Sequence, residues 1–277
     1  MGDFASILIV GCGNMAGAML EGWLVGGLAP QRFTVVSPSP RDLPEGVAQF
    51  RSLAECLPLQ GSFDAVLLGF KPQKLAELAP SIAEWARGDT AVISILAGVE
   101  LETLARRFPE AGAVVRAMPN LAVALGKSPI ALAERGLDDR GRTALVQLMS
   151  PLGTPEWVPE DQYELVTALA GSGPAFVYRF IDSLAQGAEQ LGLAPDQAGR
   201  LAVAMVEGAA ALAASSPHDP AELARRVASP GGVTQAGLDV LDDDQALAAL
   251  ITQTLRAARD RSVQMGAEAA SSTLGFA

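Results

Sequence analysis

Short, almost unbroken apolar runs recur along the first half of the chain, at Ile7 to Val10, Phe33 to Val36, Ala65 to Leu68, Ala91 to Ile95 and Ala113 to Arg116. Strands covered on both faces read this way, because neither side of the pleat meets water. Helical stretches such as Gln73 to Ala86 separate several of them. The alternation predicts an α/β fold: a mostly parallel, Rossmann-type sheet with helices on both faces. From about Asp161 the texture changes to long helical segments without comparable strand runs, at Pro174 to Leu191, Pro195 to Ala214 and Asp244 to Met265. The pattern therefore predicts an α/β domain over residues 1–160 and an all-α domain over residues 161–277.

The punctuation of these helices agrees with that reading. Pro174 and Pro195 suit first-turn positions, and Gly192 and Gly266 are placed as C-cap residues. Ala209, Ala210, Ala211, Ala213 and Ala214 surround one helix with small side chains. Small residues permit close helix approach, either between subunits or inside one chain.

The first strand runs into Gly11-Cys12-Gly13-Asn14-Met15-Ala16 and then into a helical segment from Met15 to Trp23. In such a turn Gly11 permits the tight bend, Gly13 lets the backbone approach a pyrophosphate, and Ala16 keeps the helix close to the strand. Amide N–H groups at the helix start then face the anion. A plain glycine turn is the simpler alternative, but its place after the first strand of an α/β chain favours a dinucleotide. The second strand ends in Ser37-Pro38-Ser39-Pro40-Arg41 rather than the Asp or Glu that receives a ribose 2′-hydroxyl. Hydroxyls and a guanidinium donate to a 2′-phosphate, so the expected cofactor is NADPH, with NADH the lesser option. An ordinary proline-rich turn is the competing reading of this segment. Gly69-Phe70-Lys71-Pro72 and Leu96-Ala97-Gly98 follow later strands and face the same crevice, which adds Lys71, Pro72, Ala97 and Gly98 as cofactor candidates.

Composition narrows the partners. A formal net charge of -11 opposes a nucleic-acid surface, which needs clustered Lys and Arg. Two cysteines, Cys12 and Cys56, are too few for a zinc cluster and fit a reducing, cytoplasmic setting, and no metal site is expected. Gly2 and Ser6 formally match a myristoylation pattern, yet a buried strand follows at once. No uninterrupted apolar run approaches the roughly 18 residues of a membrane span, so no membrane partner is expected.

Three further segments look constrained by chemistry: Arg116-Ala117-Met118-Pro119-Asn120, Ala170-Gly171-Ser172-Gly173-Pro174-Ala175 and Ser229-Pro230-Gly231-Gly232-Val233-Thr234. Glycine-rich loops that open onto helix starts expose N–H donors and suit a carboxylate. Together with the GCGNMA loop, the SPSP turn and the KP turn, these segments make the chain resemble the pyrroline-5-carboxylate reductases over nearly its whole length.

The resemblance implies an N-terminal Rossmann domain, a C-terminal helical domain that dimerises, and homodimers or higher assemblies built of dimers. It implies a small cyclic imine carboxylate as substrate and reduction of 1-pyrroline-5-carboxylate to L-proline, the last step of proline biosynthesis. By the same resemblance Gly231, Gly232 and Val233 meet the substrate, with backbone N–H groups receiving its carboxylate, and the Thr234 hydroxyl stands near the ring nitrogen as the catalytic candidate. Ser172, Gly173, Glu160 and Arg226 fall near the substrate, and Asn120 lines the nicotinamide side. The plain alternative for Thr234 is helix N-capping. His218, the only histidine, lies in a turn-like segment and is a poor acid–base candidate. Where the family commonly has Thr-Pro after Asn120, this chain has Leu121-Ala122, which bears on substrate range.

Other chemistries compete with this one. A β-hydroxyacid dehydrogenase would need a lysine where Val177 stands, and no lysine follows Lys127. Reduction of a different cyclic imine, such as a six-membered one, stays open, as does a noncatalytic role as an NADP-binding protein.

Overall fold

A computed structural model describes residues 3–39 and 41–271; Gly2 and Pro40, both named above, lie outside the described residues. Eight strands form one sheet: β1 (Ile7–Val10), β2 (Phe33–Val36), β3 (Ala48–Phe50), β4 (Ala65–Leu68), β5 (Ala91–Ser94), β6 (Ala113–Met118), β7 (Ser128–Arg135) and β8 (Gly153–Trp157). Their order is β3-β2-β1-β4-β5-β6-β7-β8. All neighbours pair in parallel except β6 and β7, which are antiparallel.

Successive side chains alternate between two cores, as a pleated strand requires. Ile7, Ile9, Phe33, Val35, Leu67 and Ile93 enter one core, which is closed by Met19, Leu20 and Trp23 of α1 (Asn14–Val25). Leu8, Val10, Val36, Leu68, Val92 and Val114 enter the other. Two short helices, α2 (Leu53–Cys56) and α3 (Leu75–Ala83), and then α4 (Leu101–Arg107) contribute to this second core, whereas α5 (Asp139–Met149) adds Leu145 and Leu148 to the first. The five strands expected from apolar runs are present, β6 extending to Met118. The further strands β3 and β8 lack that signature, and β7 carries it only over Ile130 to Ala133. β8 carries Pro155 and alternates between half-buried and exposed positions, as an edge strand can.

The elements that follow among the described residues are helical: α6 (Tyr163–Val166), α7 (Gly173–Gln190), α8 (Pro195–Ser215), α9 (Pro220–Val227), α10 (Val233–Asp242) and α11 (Ala246–Ser271). Contacts divide the chain into two compact units. One runs through Ser172 and takes in the chain again from Ala258, and the other spans Gly173–Ala257. Pro195 begins α8 as expected, and Gly192, at φ +105°, follows α7. Gly266 is not a C-cap: α11 continues through it to Ser271. A Cβ on Gly266 would stand 2.8 Å from the Gly98 carbonyl oxygen, so close backbone contact accounts for both glycines. Asp244 and Gln245 adopt positive φ, so the last helix starts at Ala246 rather than at Asp244.

Within the second unit α7 packs on α8, yet among its described residues only Ala198 and Ala202 are buried. Leu201, Met205 and Leu212, spaced four and seven apart on α8, are exposed. By length and composition α8 is long and apolar enough to cross a membrane, although Arg200 and Glu207 interrupt it.

Candidate functional site

At the carboxyl edge of the parallel strands, the turns after β1 and β4 cross in close contact. Gly11 adopts φ +81° and its N–H donates to the Val36 carbonyl at 2.8 Å, while the Gly69 N–H donates to the Val10 carbonyl at 2.8 Å. A Cβ on Gly69 would stand 2.2 Å from the Gly11 carbonyl oxygen, so neither turn admits a side chain here. The crevice lies where the sheet order reverses, between β1 and β4, the usual place for ligands in such sheets.

Gly13 is the N-cap of α1 and offers no capping side chain, and the first turn of α1 holds no acidic residue. The leading amides of Asn14, Met15 and Ala16 therefore have no intrahelical acceptor and leave a positive helix end open. Gly13 is exposed, and a Cβ on it would meet only the Gly69 carbonyl, at 3.7 Å. A backbone cradle of this kind fits a dinucleotide pyrophosphate. Cys12 turns its thiol into the core, and Met15 packs against the same core, so each can serve a ligand only through its backbone.

The remaining cofactor candidates divide. Ser37 is buried and its N–H donates to the Phe50 carbonyl at 3.0 Å, while Ser39 and Lys71 are exposed. Pro72 starts a single 3-10 turn. Arg41 Nη1 donates to the carbonyls of Cys12 at 3.0 Å and Gly13 at 2.9 Å, which draws its guanidinium onto the phosphate loop. Ala97 is half-buried, and Gly98 is held against Gly266.

Asn120 is buried and fully engaged. Its Oδ1 accepts from the Ala122 N–H at 2.9 Å, its Nδ2 donates to the Ala170 carbonyl at 2.9 Å, and its own N–H donates to Ser128 Oγ at 2.9 Å. The Ala170 carbonyl belongs to a π-helical turn, Thr167–Gly171, in which the Ser172 N–H reaches back five residues to the Thr167 carbonyl. Such turns concentrate at functional sites. The side chain of Asn120 thus ties the end of β6 to the segment that precedes Ser172.

One cluster is not legible in the sequence. Arg116, 2% exposed in the middle of β6, donates through Nη1 to Glu160 Oε1 at 2.9 Å and through Nη2 to Glu164 Oε1 at 2.6 Å. Its guanidinium lies 3.8 Å from the centroid of the Tyr163 ring. The Leu101 N–H also donates to Glu160 Oε1, at 3.0 Å, and the Ser262 hydroxyl donates to Glu164 Oε2. Burial opposes the charge on Arg116, but Tyr163, Glu164 and Glu160 together outweigh it and raise its pKa. Burial also pushes the Tyr163 phenol well above its ordinary pKa, so it stays neutral. Glu160, expected near the substrate, is thus engaged by Arg116. The signal that could have found the cluster is a lone arginine in an otherwise apolar strand, which demands carboxylate partners.

In the second unit Gly231 adopts φ +70° and the Gly232 N–H donates to the Ser229 carbonyl at 2.9 Å. Gly232 is the N-cap of α10, again with no capping side chain and no acidic residue in the first turn. Thr234 is the second helical residue, so the capping alternative fails. Val233 and Thr234 are exposed. Arg226 is exposed and paired through Nε with Glu222 Oε1 at 2.8 Å. Ser172 and Glu160 belong to the first unit, and Gly173, Arg226 and Gly231 to Thr234 to the second.

Comparisons with known proteins extend these observations along the whole chain. Residues 160–265 match the family described as pyrroline-5-carboxylate reductase dimerisation, and residues 6–98 match the family described as NADP oxidoreductase, coenzyme F420-dependent. A pyrroline-5-carboxylate reductase of Synechocystis is 35% identical over 262 residues, covering 93% of this chain and 97% of that protein. Pyrroline-5-carboxylate reductase 2 of Bacillus subtilis is 34% identical over 249 residues, covering 87% of this chain and 88% of that protein. The solved structure of a pyrroline-5-carboxylate reductase from Coxiella burnetii superposes with a TM-score of 0.86 at 29% identity, covering 94% of this chain and 98% of that one. With relatives 34 and 35% identical matched over most of both lengths, the chain belongs to the pyrroline-5-carboxylate reductase family.

Proposed function

We propose that this protein reduces 1-pyrroline-5-carboxylate to L-proline with NADPH preferred over NADH, the last step of proline biosynthesis. The observation that carries the reading is the presence, in one chain of this family, of two glycine-opened helix starts that no side chain caps, at Gly13 and at Gly232. Each is free to receive an anion, one the cofactor pyrophosphate and the other the substrate carboxylate.

In this reading residues 1–160 hold the cofactor and residues 161–277 supply the substrate loop and the dimer surface. The Gly11 to Met15 loop holds the pyrophosphate, and Ser39 and Arg41 meet the 2′-phosphate beside the buried Ser37. Lys71, Pro72, Ala97, Gly98 and Asn120 bound the crevice. When bound, the dihydronicotinamide supplies the hydride. The backbone of Gly231 to Val233 receives the carboxylate, and the Thr234 hydroxyl orients the ring nitrogen, with Ser172, Gly173, Glu160 and Arg226 placed around the substrate. The imine arrives protonated; hydride adds to the C=N carbon and the electron pair of the double bond becomes the lone pair of the amine. No strong general acid is needed, and the protein contributes alignment and exclusion of water.

The exposed apolar residues of α8, within the segment matched by the dimerisation family, support a homodimer or a larger assembly of dimers. The net charge of -11 and the paucity of cysteine support a cytoplasmic enzyme without nucleic-acid or membrane partners.

Following oxidation of NADPH and NADH with pyrroline-5-carboxylate and with its six-membered homologue tests the reading. Turnover of the five-membered imine, faster with NADPH, is expected. Exclusive turnover of the six-membered imine would move the substrate assignment, with Leu121, 61% exposed where the family commonly has threonine, the first residue to test by substitution. No turnover on either imine contradicts the reductase reading.

A further inference from the structure

Glycine is among the poorest helix formers, so Gly17 in the first turn of α1 requires a local reason. A Cβ on Gly17 would stand 2.0 Å from Arg41 Nη1, 3.1 Å from Cζ and 3.6 Å from Nη2. The guanidinium therefore enters, Nη1 first, the space that a side chain at Gly17 would fill. From that seat Nη1 reaches the carbonyls of Cys12 and Gly13, leaving Nη2 and Nε without a partner among the described residues.

The backbone of Arg41 is fixed as well. Its N–H donates to Gln49 Oε1 at 3.1 Å, and Gln49 Nε2 donates to the Arg41 carbonyl at 3.3 Å. Beside it a cavity of about 580 Å³ is lined by Gly17, Leu20, Glu21, Arg41, Asp42 and neighbouring residues. Arg41 is the only cation in that lining, and Glu21 and Asp42 oppose an incoming anion. Affinity for an anion here therefore depends on where the Arg41 guanidinium is held.

We propose that Gly17 is a cofactor-specificity residue: its missing side chain provides the seat that holds the Arg41 guanidinium against the phosphate loop, with its outer edge directed to the NADPH 2′-phosphate. The proposal rests on the NADPH reading of Arg41. It places the discrimination between NADPH and NADH on α1 as well as on the turn after β2. Because the group that a Cβ would displace is the far end of a flexible side chain, Gly17→Ala should evict the guanidinium without breaking the fold.

Calorimetric titration with 2′,5′-ADP and with 5′-AMP separates the 2′-phosphate from the rest of the nucleotide. Gly17→Ala and Arg41→Ala should each weaken 2′,5′-ADP binding about tenfold or more, while 5′-AMP binding stays unchanged. The double variant should be no weaker than Arg41→Ala, since both remove one interaction. The thermal midpoint of Gly17→Ala should not fall. If Arg41→Ala loses 2′,5′-ADP affinity and Gly17→Ala keeps it, the seat is refuted and the NADPH reading stands. Loss of both nucleotides in Gly17→Ala would mean a distorted phosphate loop and would also overturn the seat. Retention of 2′,5′-ADP affinity by both variants removes Arg41 from cofactor selection, and the seat with it.

Discussion

The two units of this chain treat apolar surface differently. In the sheet unit β1, β2, β4, β5 and β6 bury their side chains on both faces, so that α1 and α5 close one core while α3 and α4 close the other. In the helical unit two alanines are the only buried residues described, and Leu201, Met205 and Leu212 face outward along α8. The first unit contains the partners its hydrophobic side chains need. The second leaves apolar side chains exposed within a segment that matches the dimerisation family. Ala209, Ala210 and Ala211 are exposed on the same helix, and small side chains of this kind permit the close helix approach that the proposed dimer would use.

The difference can be broken most severely on α8. Replacing both Met205 and Leu212 by Glu puts charges on that face. At about 3 kcal/mol for each of two symmetry-related copies, association should weaken roughly ten-thousandfold. Sedimentation at micromolar concentration should then show monomers; an unchanged assembly would place the dimer surface elsewhere.

The sheet unit is most sensitive at Arg116. Arg116→Ala leaves Glu160 and Glu164 facing each other without their cation and should cost about 3–5 kcal/mol of stability, read as a lower denaturant midpoint. Replacing all three charged groups, as Arg116→Met with Glu160→Gln and Glu164→Gln, should recover much of that loss. A single variant as stable as the parent would show that the cluster is not a stabilising pair of contacts.

Smaller effects separate chemistry from packing in each unit. Thr234→Ala should lower kcat/KM for the imine ten- to hundredfold, about 1.4–2.7 kcal/mol of transition-state stabilisation. NADPH affinity should be unchanged; a parallel loss would make Thr234 structural. Asn120→Ala removes the cap on Ala122 and the tie to Ala170 and should cost about 1 kcal/mol of stability. A larger fall in turnover than in stability would indicate that the π-helical turn before Ser172 positions reacting groups.

The legible parts of this structure are those in which local pattern and tertiary role coincide. Five strands could be read because burial on both faces leaves no polar position between Ile7 and Val10 or between Ala65 and Leu68. β8 could not, because Pro155 and half-exposed positions mark an edge strand, and β7 carries the signature only over Ile130 to Ala133, between Pro129 and Glu134. Gly266 shows how one residue serves two purposes, since a helix-ending glycine and a close-contact glycine look alike until Gly98 is seen beside it. The glycine cradle was legible because its geometry is local. The engagement of Arg116 was not, because its carboxylate partners lie 44 and 48 residues away. The same holds for Arg41: a guanidinium near the second strand was readable, but not its seat on Gly17.

The proposed reaction is defined by where the hydride goes. Incubating the enzyme with pyrroline-5-carboxylate and NADPH deuterated at the transferable C4 position, followed by mass spectrometry and NMR of the product, tests this directly. The expected product is L-proline with one deuterium at C5, the former imine carbon. Cofactor oxidation that yields no proline, or proline without deuterium at that carbon, would contradict the account.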